Sequence, residues 1–126
     1  CCNIRKVIPL KVALNDYDVW ITGIRKKQTR TRKQSDLIEF ESRFEVIKIN
    51  PLINWTHDEV WDYIKINNLP YNSLHDNNYP SIGCKQCTSP VCPGEDDRSG
   101  RWKGTNKTEC GLHKSDNISI NTVKGK

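Results

Sequence analysis

Two pairs of cysteines, Cys1-Cys2 and Cys84-Lys85-Gln86-Cys87, stand at widely separated points of the chain. Any fold it adopts has to accommodate four thiols in two tight pairs. Six cysteines could form three disulfides, but tight pairing is a poor disulfide pattern and a good ligand pattern. A C-x-x-C turn suits tetrahedral zinc or one corner of an iron–sulfur cluster. Adjacent cysteines diverge, so chelating one zinc with both is strained. A four-iron cube offers separate iron atoms to neighbouring sulfurs, and the geometry favours it over zinc while leaving both open. Cys92, in "SPVCPGED", is assigned no role.

The first half is periodic and the second is not. Val7, Leu10 and Leu14 recur at helical spacing over residues 3–15, with Pro9 placed to kink or restart the helix. "YDVWITGI" (17–24) and "FEVIKINPL" (44–52) read as strands. In "WTHDEVWDYIKINN", Thr56 and Glu59 have capping-box spacing, and Val60, Trp61 and Ile64 make one apolar face. From residue 70 the chain is rich in Pro, Gly, Asn and Ser, and a long irregular stretch needs something such as a metal centre to hold it. Strand–helix alternation predicts an α/β fold with a parallel sheet.

The hydrophobic fraction is 35%, thin for a self-sufficient core, and the chain starts at Cys1 without a single Met. We therefore expect a fragment whose N-terminal half is missing, with apolar surface that packs against absent residues. No apolar run approaches the roughly 20 residues of a membrane span.

The net charge of +5 informs only where it clusters. "RKKQTRTRK" (25–33) holds six basic residues and no acidic one. It follows a strand end, where open α/β sheets bind ligands, and arginine forks grip phosphate or sulfate oxygens. A solvated loop or a nonspecific nucleic-acid patch is the plainer reading of such a run. Lys6 follows the first cysteine pair closely enough to serve both a cluster and an anion, though a helical lysine is ordinarily just exposed. Arg98 and Arg101 could converge on one anion or simply pair with Glu95, Asp96 and Asp97. Cys110 sits in a polar tail, "KTECGLHKS", three residues before His113, with little near it in sequence to bury it.

Together "CC…IRKVIPL", "WITGIRKKQT", "SIGCKQCT", "PGEDDRSGRW" and "ECGLH" resemble, in this order, the assimilatory adenylyl-sulfate reductases, relatives of the phosphoadenylyl-sulfate reductases. The resemblance runs from Cys1 to about Lys114. It implies the C-terminal part of an adenine-nucleotide α-hydrolase-like α/β fold: an α/β portion at 1–69, a cluster- and substrate-binding segment at 70–105 and a mobile catalytic tail at 106–126. It implies cytoplasmic reduction of adenosine 5′-phosphosulfate to sulfite and AMP through an enzyme S-sulfocysteine, discharged by thioredoxin or a similar dithiol protein. On that resemblance Cys110 is the nucleophile. Cys1, Cys2, Cys84 and Cys87 ligate a [4Fe–4S] cluster, and Lys6, Arg25, Arg98, Arg101 and His113 serve the substrate. Neither nucleic acid nor membrane is an expected partner.

Against the family pattern the N-terminal half with its glycine- and serine-rich phosphate-binding loop is absent, so the fragment is expected to be inactive alone, and three residues depart as well. Thr29 replaces the usual serine, Lys103 stands where a further tryptophan is common, and Cys92 takes an ordinarily apolar position. One rival reading changes the substrate to the 3′-phosphorylated nucleotide. Another, from a different class, is a zinc-stabilised nucleic-acid-binding module using residues 25–33.

Overall fold

The computed structural model describes residues 2–113 and the backbone at 118–119. The chain divides into two compact units, one of Cys1–Thr56 with Glu109–Lys126, the other of His57–Thr108.

In the first unit the expected N-terminal helix is split. A π-helical turn, Asn3–Val7, leads into α1, Ile8–Leu14, with Pro9 in its first turn. Proline is tolerated there because a first-turn N–H has no intrahelical partner to lose. Leu14 packs with Phe44 and Val46, and Val7, Leu10 and Trp20 close around them. The helical spacing read from the sequence is thus the packed face.

Four short strands form one sheet: β1 (Val19–Ile21), β2 (Ile38–Glu41), β3 (Val46–Ile49) and β4 (Ile118–Ser119), in the order β1-β3-β2-β4. The anticipated parallel pairing is present between β1 and β3. β2 pairs antiparallel with β3 on one side and with β4 on the other, so the sheet is mixed. β2 was not expected from the sequence, and β1 and β3 are shorter than the apolar runs that marked them.

The sheet is charged on its buried side. Glu39, Glu41 and Lys48 are nearly inaccessible, whereas Ile38, Phe40 and Ile47 alternate with them and stand exposed. Register explains how the charges are tolerated. Lys48 lies opposite Glu39 on one neighbour and opposite Trp20 on the other. Its ammonium is 3.9 Å from the Glu39 carboxylate and 5.6 Å from the Trp20 ring centre. Asn50 donates to Glu39 and to the Asp36 carbonyl, and accepts from Thr22. Burial lowers the Lys48 pKa, with Glu39 and Glu41 acting against that shift.

The second unit opens with α2, His57–Ile66. Its Val60, Trp61 and Ile64 are half-buried as their spacing predicted, and Trp61 meets Tyr71 and His75 edge-on. Beyond α2 the unit is a series of turns. Asn68 and Asn78 take left-handed backbone angles where the chain reverses. Residues 88 and 101 join in an isolated antiparallel bridge. None of the described helices is long and apolar enough to cross a membrane.

Candidate functional site

The basic run at 25–33 is built rather than loose. Lys26–Gln28 and Thr31–Gln34 form two 3₁₀ turns. The Gln28 amide oxygen accepts from the Arg25 backbone N–H at 3.0 Å and also from the Arg32 guanidinium. Arg25 is half-buried at the head of this turn, and Arg32 is buried within it. Arg32 then reaches across 77 residues of sequence to Glu109, Nε to Oε2 at 2.9 Å and Nη2 to Oε1 at 3.0 Å.

That fork sets the position of Cys110. The thiol residue is only 8% exposed, although little near it in sequence could bury it. Its burial comes from residues distant in sequence. Arg43, in the turn between β2 and β3, donates to the carbonyls of Gly111 (2.7 Å) and Leu112 (2.9 Å). The His113 ring stacks on Trp20 with centres 5.5 Å apart and planes 10° from parallel. The tail expected to be mobile is, at residues 109–113, docked on its own unit. Lys6 and Cys2 are half-buried in the same unit. The Cys1 assignment lies outside the described residues.

The second unit carries the other paired cysteines. The Cys87 N–H donates to the Cys84 carbonyl at 2.9 Å, and the Thr88 hydroxyl donates to the same oxygen while accepting from the Gly83 N–H. Cys84 and Cys87 are half-buried thiols without a disulfide. Trp102 ties them to the arginines, because its backbone N–H donates to the Cys87 carbonyl at 3.1 Å. The Arg101 guanidinium lies 4.5 Å from the Trp102 ring centre and that of Arg98 lies 5.6 Å from it. Both guanidinium groups thus lie over one indole ring. Arg101 is aimed by bonds to the Ser81 hydroxyl and the Ile82 carbonyl. The family resemblance asks for a cluster here, and the donor chemistry fits: two soft sulfurs in one closed turn beside a fixed cation. Among the described residues no group of three or more His, Cys, Asp or Glu stands within reach of one metal ion.

Sequence reasoning missed Arg32 as an individual, together with Arg43, Glu109 and Trp20. Arg32 was one of six like charges in a run, and only its partner 77 residues away distinguishes it.

The phosphoadenosine phosphosulfate reductase domain model matches residues 1–90. The adenosine 5′-phosphosulfate reductase of Oceanobacillus iheyensis is 59% identical over 92% of this chain and 48% of its own length. Adenosine 5′-phosphosulfate reductase 2 of Bacillus subtilis is 54% identical over 90% of this chain and 48% of its own. The chain therefore spans about half the length of the curated relatives it matches. Among solved structures, a phosphoadenylyl-sulfate reductase of Candida auris in a phosphate complex aligns with TM-score 0.58 at 36% identity, covering 71% of this chain and 41% of that one.

Proposed function

The chain belongs to the phosphoadenosine phosphosulfate reductase domain family, and from that premise we propose that it carries the nucleophile and anion-binding groups of an adenosine 5′-phosphosulfate reductase. The observation that carries the reading is Cys110: a buried thiol with no disulfide, fixed by anchors on both sides. A spare cysteine has no need of such positioning.

Cys110 attacks as thiolate, which nearby cations favour. Its sulfur bonds to the sulfonyl sulfur while the bond from that sulfur to the phosphate oxygen breaks, and AMP leaves with the electron pair. Arg98, Arg101, Lys6 and His113 bind the phosphosulfate and neutralise charge developing on the leaving phosphate. Arg25 belongs to the substrate loop. A dithiol protein of thioredoxin type then reduces the S-sulfocysteine. The donor becomes a disulfide, sulfite departs and the Cys110 thiol returns, so both electrons come from thiols. A [4Fe–4S] cluster on Cys1, Cys2, Cys84 and Cys87 would supply structural cross-linking and a local electrostatic field.

The alternative substrate is the 3′-phosphorylated nucleotide, named by the family model and by the Candida auris neighbour. In a protein of the relatives' length that contains this chain, incubation with each nucleotide without thiol, followed by peptide mass analysis, decides between them. One SO₃ added to the Cys110 peptide by adenosine 5′-phosphosulfate alone supports the first reading. Modification by the 3′-phosphorylated form alone supports the second. No SO₃ on Cys110 with either nucleotide, in protein that holds its iron and sulfide, sinks both.

A further inference from the structure

We propose that Arg32 and Arg43 are positioning residues that form a two-point clasp around Cys110, and that this clasp must open before a second protein can reach the thiol. The inference deepens the proposed reading in that it takes Cys110 as the nucleophile. The anchors bracket that residue. On its N-terminal side the Arg32 fork holds Glu109, with both side chains 9% exposed. Glu109 Oε1 also accepts the Cys110 backbone N–H at 3.1 Å. On its C-terminal side Arg43 donates to two successive carbonyls, those of Gly111 and Leu112.

Each arginine is itself held. Arg32 is tied to Gln28 in the substrate loop. Arg43 is gripped by Glu41, Nε to Oε1 and Nη2 to Oε2, each at 2.8 Å, and the Glu41 side chain is fully buried. The two grips arise from different parts of the unit, so the backbone on both sides of Cys110 is fixed at once. Gly111 adds a steric limit, because a Cβ there would lie 3.3 Å from the Val7 side chain.

Glu109 is a nearly buried carboxylate and needs a partner where it sits. Arg32 satisfies that carboxylate with a planar two-pronged match that lysine does not reproduce. Discharge of an S-sulfo group by a protein donor requires contact with a sulfur that is buried in the clasped state. Tail opening is therefore the separation of Glu109 from Arg32 and of two carbonyls from Arg43.

Alkylation by a small neutral reagent, read per cysteine by mass analysis across pH, tests this without substrate in a protein of the relatives' length that contains this chain. The high-pH plateau reports access and the midpoint reports thiol acidity. Cys92 is exposed and serves as the internal reference. We expect Cys110 to react more slowly than Cys92 at the plateau. Arg32→Ala and Glu109→Gln should each raise the Cys110 plateau at least about tenfold, the open population governing access. The double variant should add little to either, and Arg32→Lys should restore only part of the protection. A Cys110 plateau equal to that of Cys92, or unchanged in both single variants, overturns the proposal. Should Arg32→Ala fail to fold, the exchanged pair Arg32→Glu/Glu109→Arg decides: slow Cys110 supports the clasp and fast Cys110 in a folded chain refutes it. Failure here leaves SO₃ transfer to Cys110 untouched, so the two readings fail separately.

Discussion

Gly83 and Gly100 would respond to one added methyl in opposite ways. A Cβ at Gly100 would stand 2.1 Å from the Ser89 carbonyl oxygen, a backbone atom that cannot swing aside. The same stretch is bonded from Ser89 N–H to the Gly100 carbonyl at 2.8 Å, so relief would break the local pairing. A Cβ at Gly83 would meet the Arg101 guanidinium at 2.2 Å, the far end of a long side chain. Gly100→Ala should therefore destabilise the chain by about 2–3 kcal/mol, in the range of steric overpacking. Gly83→Ala should cost about 1 kcal/mol, through the two hydrogen bonds from Arg101 to Ser81 and Ile82. Urea unfolding of the two variants checks this. Equal losses would mean that the backbone at 89–100 has room the geometry denies. Gly83→Ala should nonetheless weaken binding of a phosphosulfate analogue more than its stability cost implies, because it displaces an arginine proposed to grip the anion.

At the scale of elements, the buried Lys48–Glu39 pair between β2 and β3 carries the sharpest prediction. Lys48→Met should destabilise the chain by about 1–2 kcal/mol, short of the roughly 3–5 of a broken buried pair, because burial already works against the charge that is removed. Lys48→Met/Glu39→Gln should recover a substantial part of that loss, measured by thermal unfolding. The sign of the pH effect follows from the lowered Lys48 pKa. In a window below the ordinary lysine value of 10.5, the unfolded chain binds a proton that the folded chain does not. Stability from this group therefore rises with pH through that window and is least where Lys48 is charged in both states. The wild-type advantage over Lys48→Met should grow as pH climbs towards 10.5, and a shrinking advantage would contradict the lowered pKa. These strands also mark where the sequence stops being legible. α1 and α2 were readable because helical spacing and the apolar face coincide. In β2 the alternation Ile-Glu-Phe-Glu sets the period but suggests the wrong sidedness, for here the glutamates face inward. Their partners, Lys48, Arg43 and Asn50, come from later residues, and no local pattern announces them. The candidate site divides in the same way. The C-x-x-C pair and the Arg98–Arg101 spacing stand out as short motifs, whereas the place of both arginines over Trp102 and the Arg32–Glu109 fork exist only in the fold.

For the whole molecule, the inverted sheet has a consequence in solution. Because the buried face of unit one takes the charges, the opposite face shows Val19, Ile21, Ile38, Phe40 and Ile47 to solvent, with Ile21 68% exposed. A sheet that is apolar on one face is stable when a second layer covers it, and contiguous apolar patches on soluble chains mark contact surfaces or aggregation liabilities. The net charge of +5 opposes association at low salt but is screened as salt rises. The chain by itself should therefore bind an environment-sensitive apolar dye in its folded state and self-associate increasingly with ionic strength. Ile21→Thr and Phe40→Thr should each lower dye binding several-fold, since neither side chain is buried in the core around Leu14, Phe44 and Val46. Thr suits a strand, which keeps the backbone effect small. Dye fluorescence and light scattering on one sample separate the outcomes. Loss of both signals in the variants assigns them to this face. Dye binding that persists unchanged in both variants, with circular dichroism unaltered, would place the apolar surface elsewhere and show that the sheet face is covered in solution.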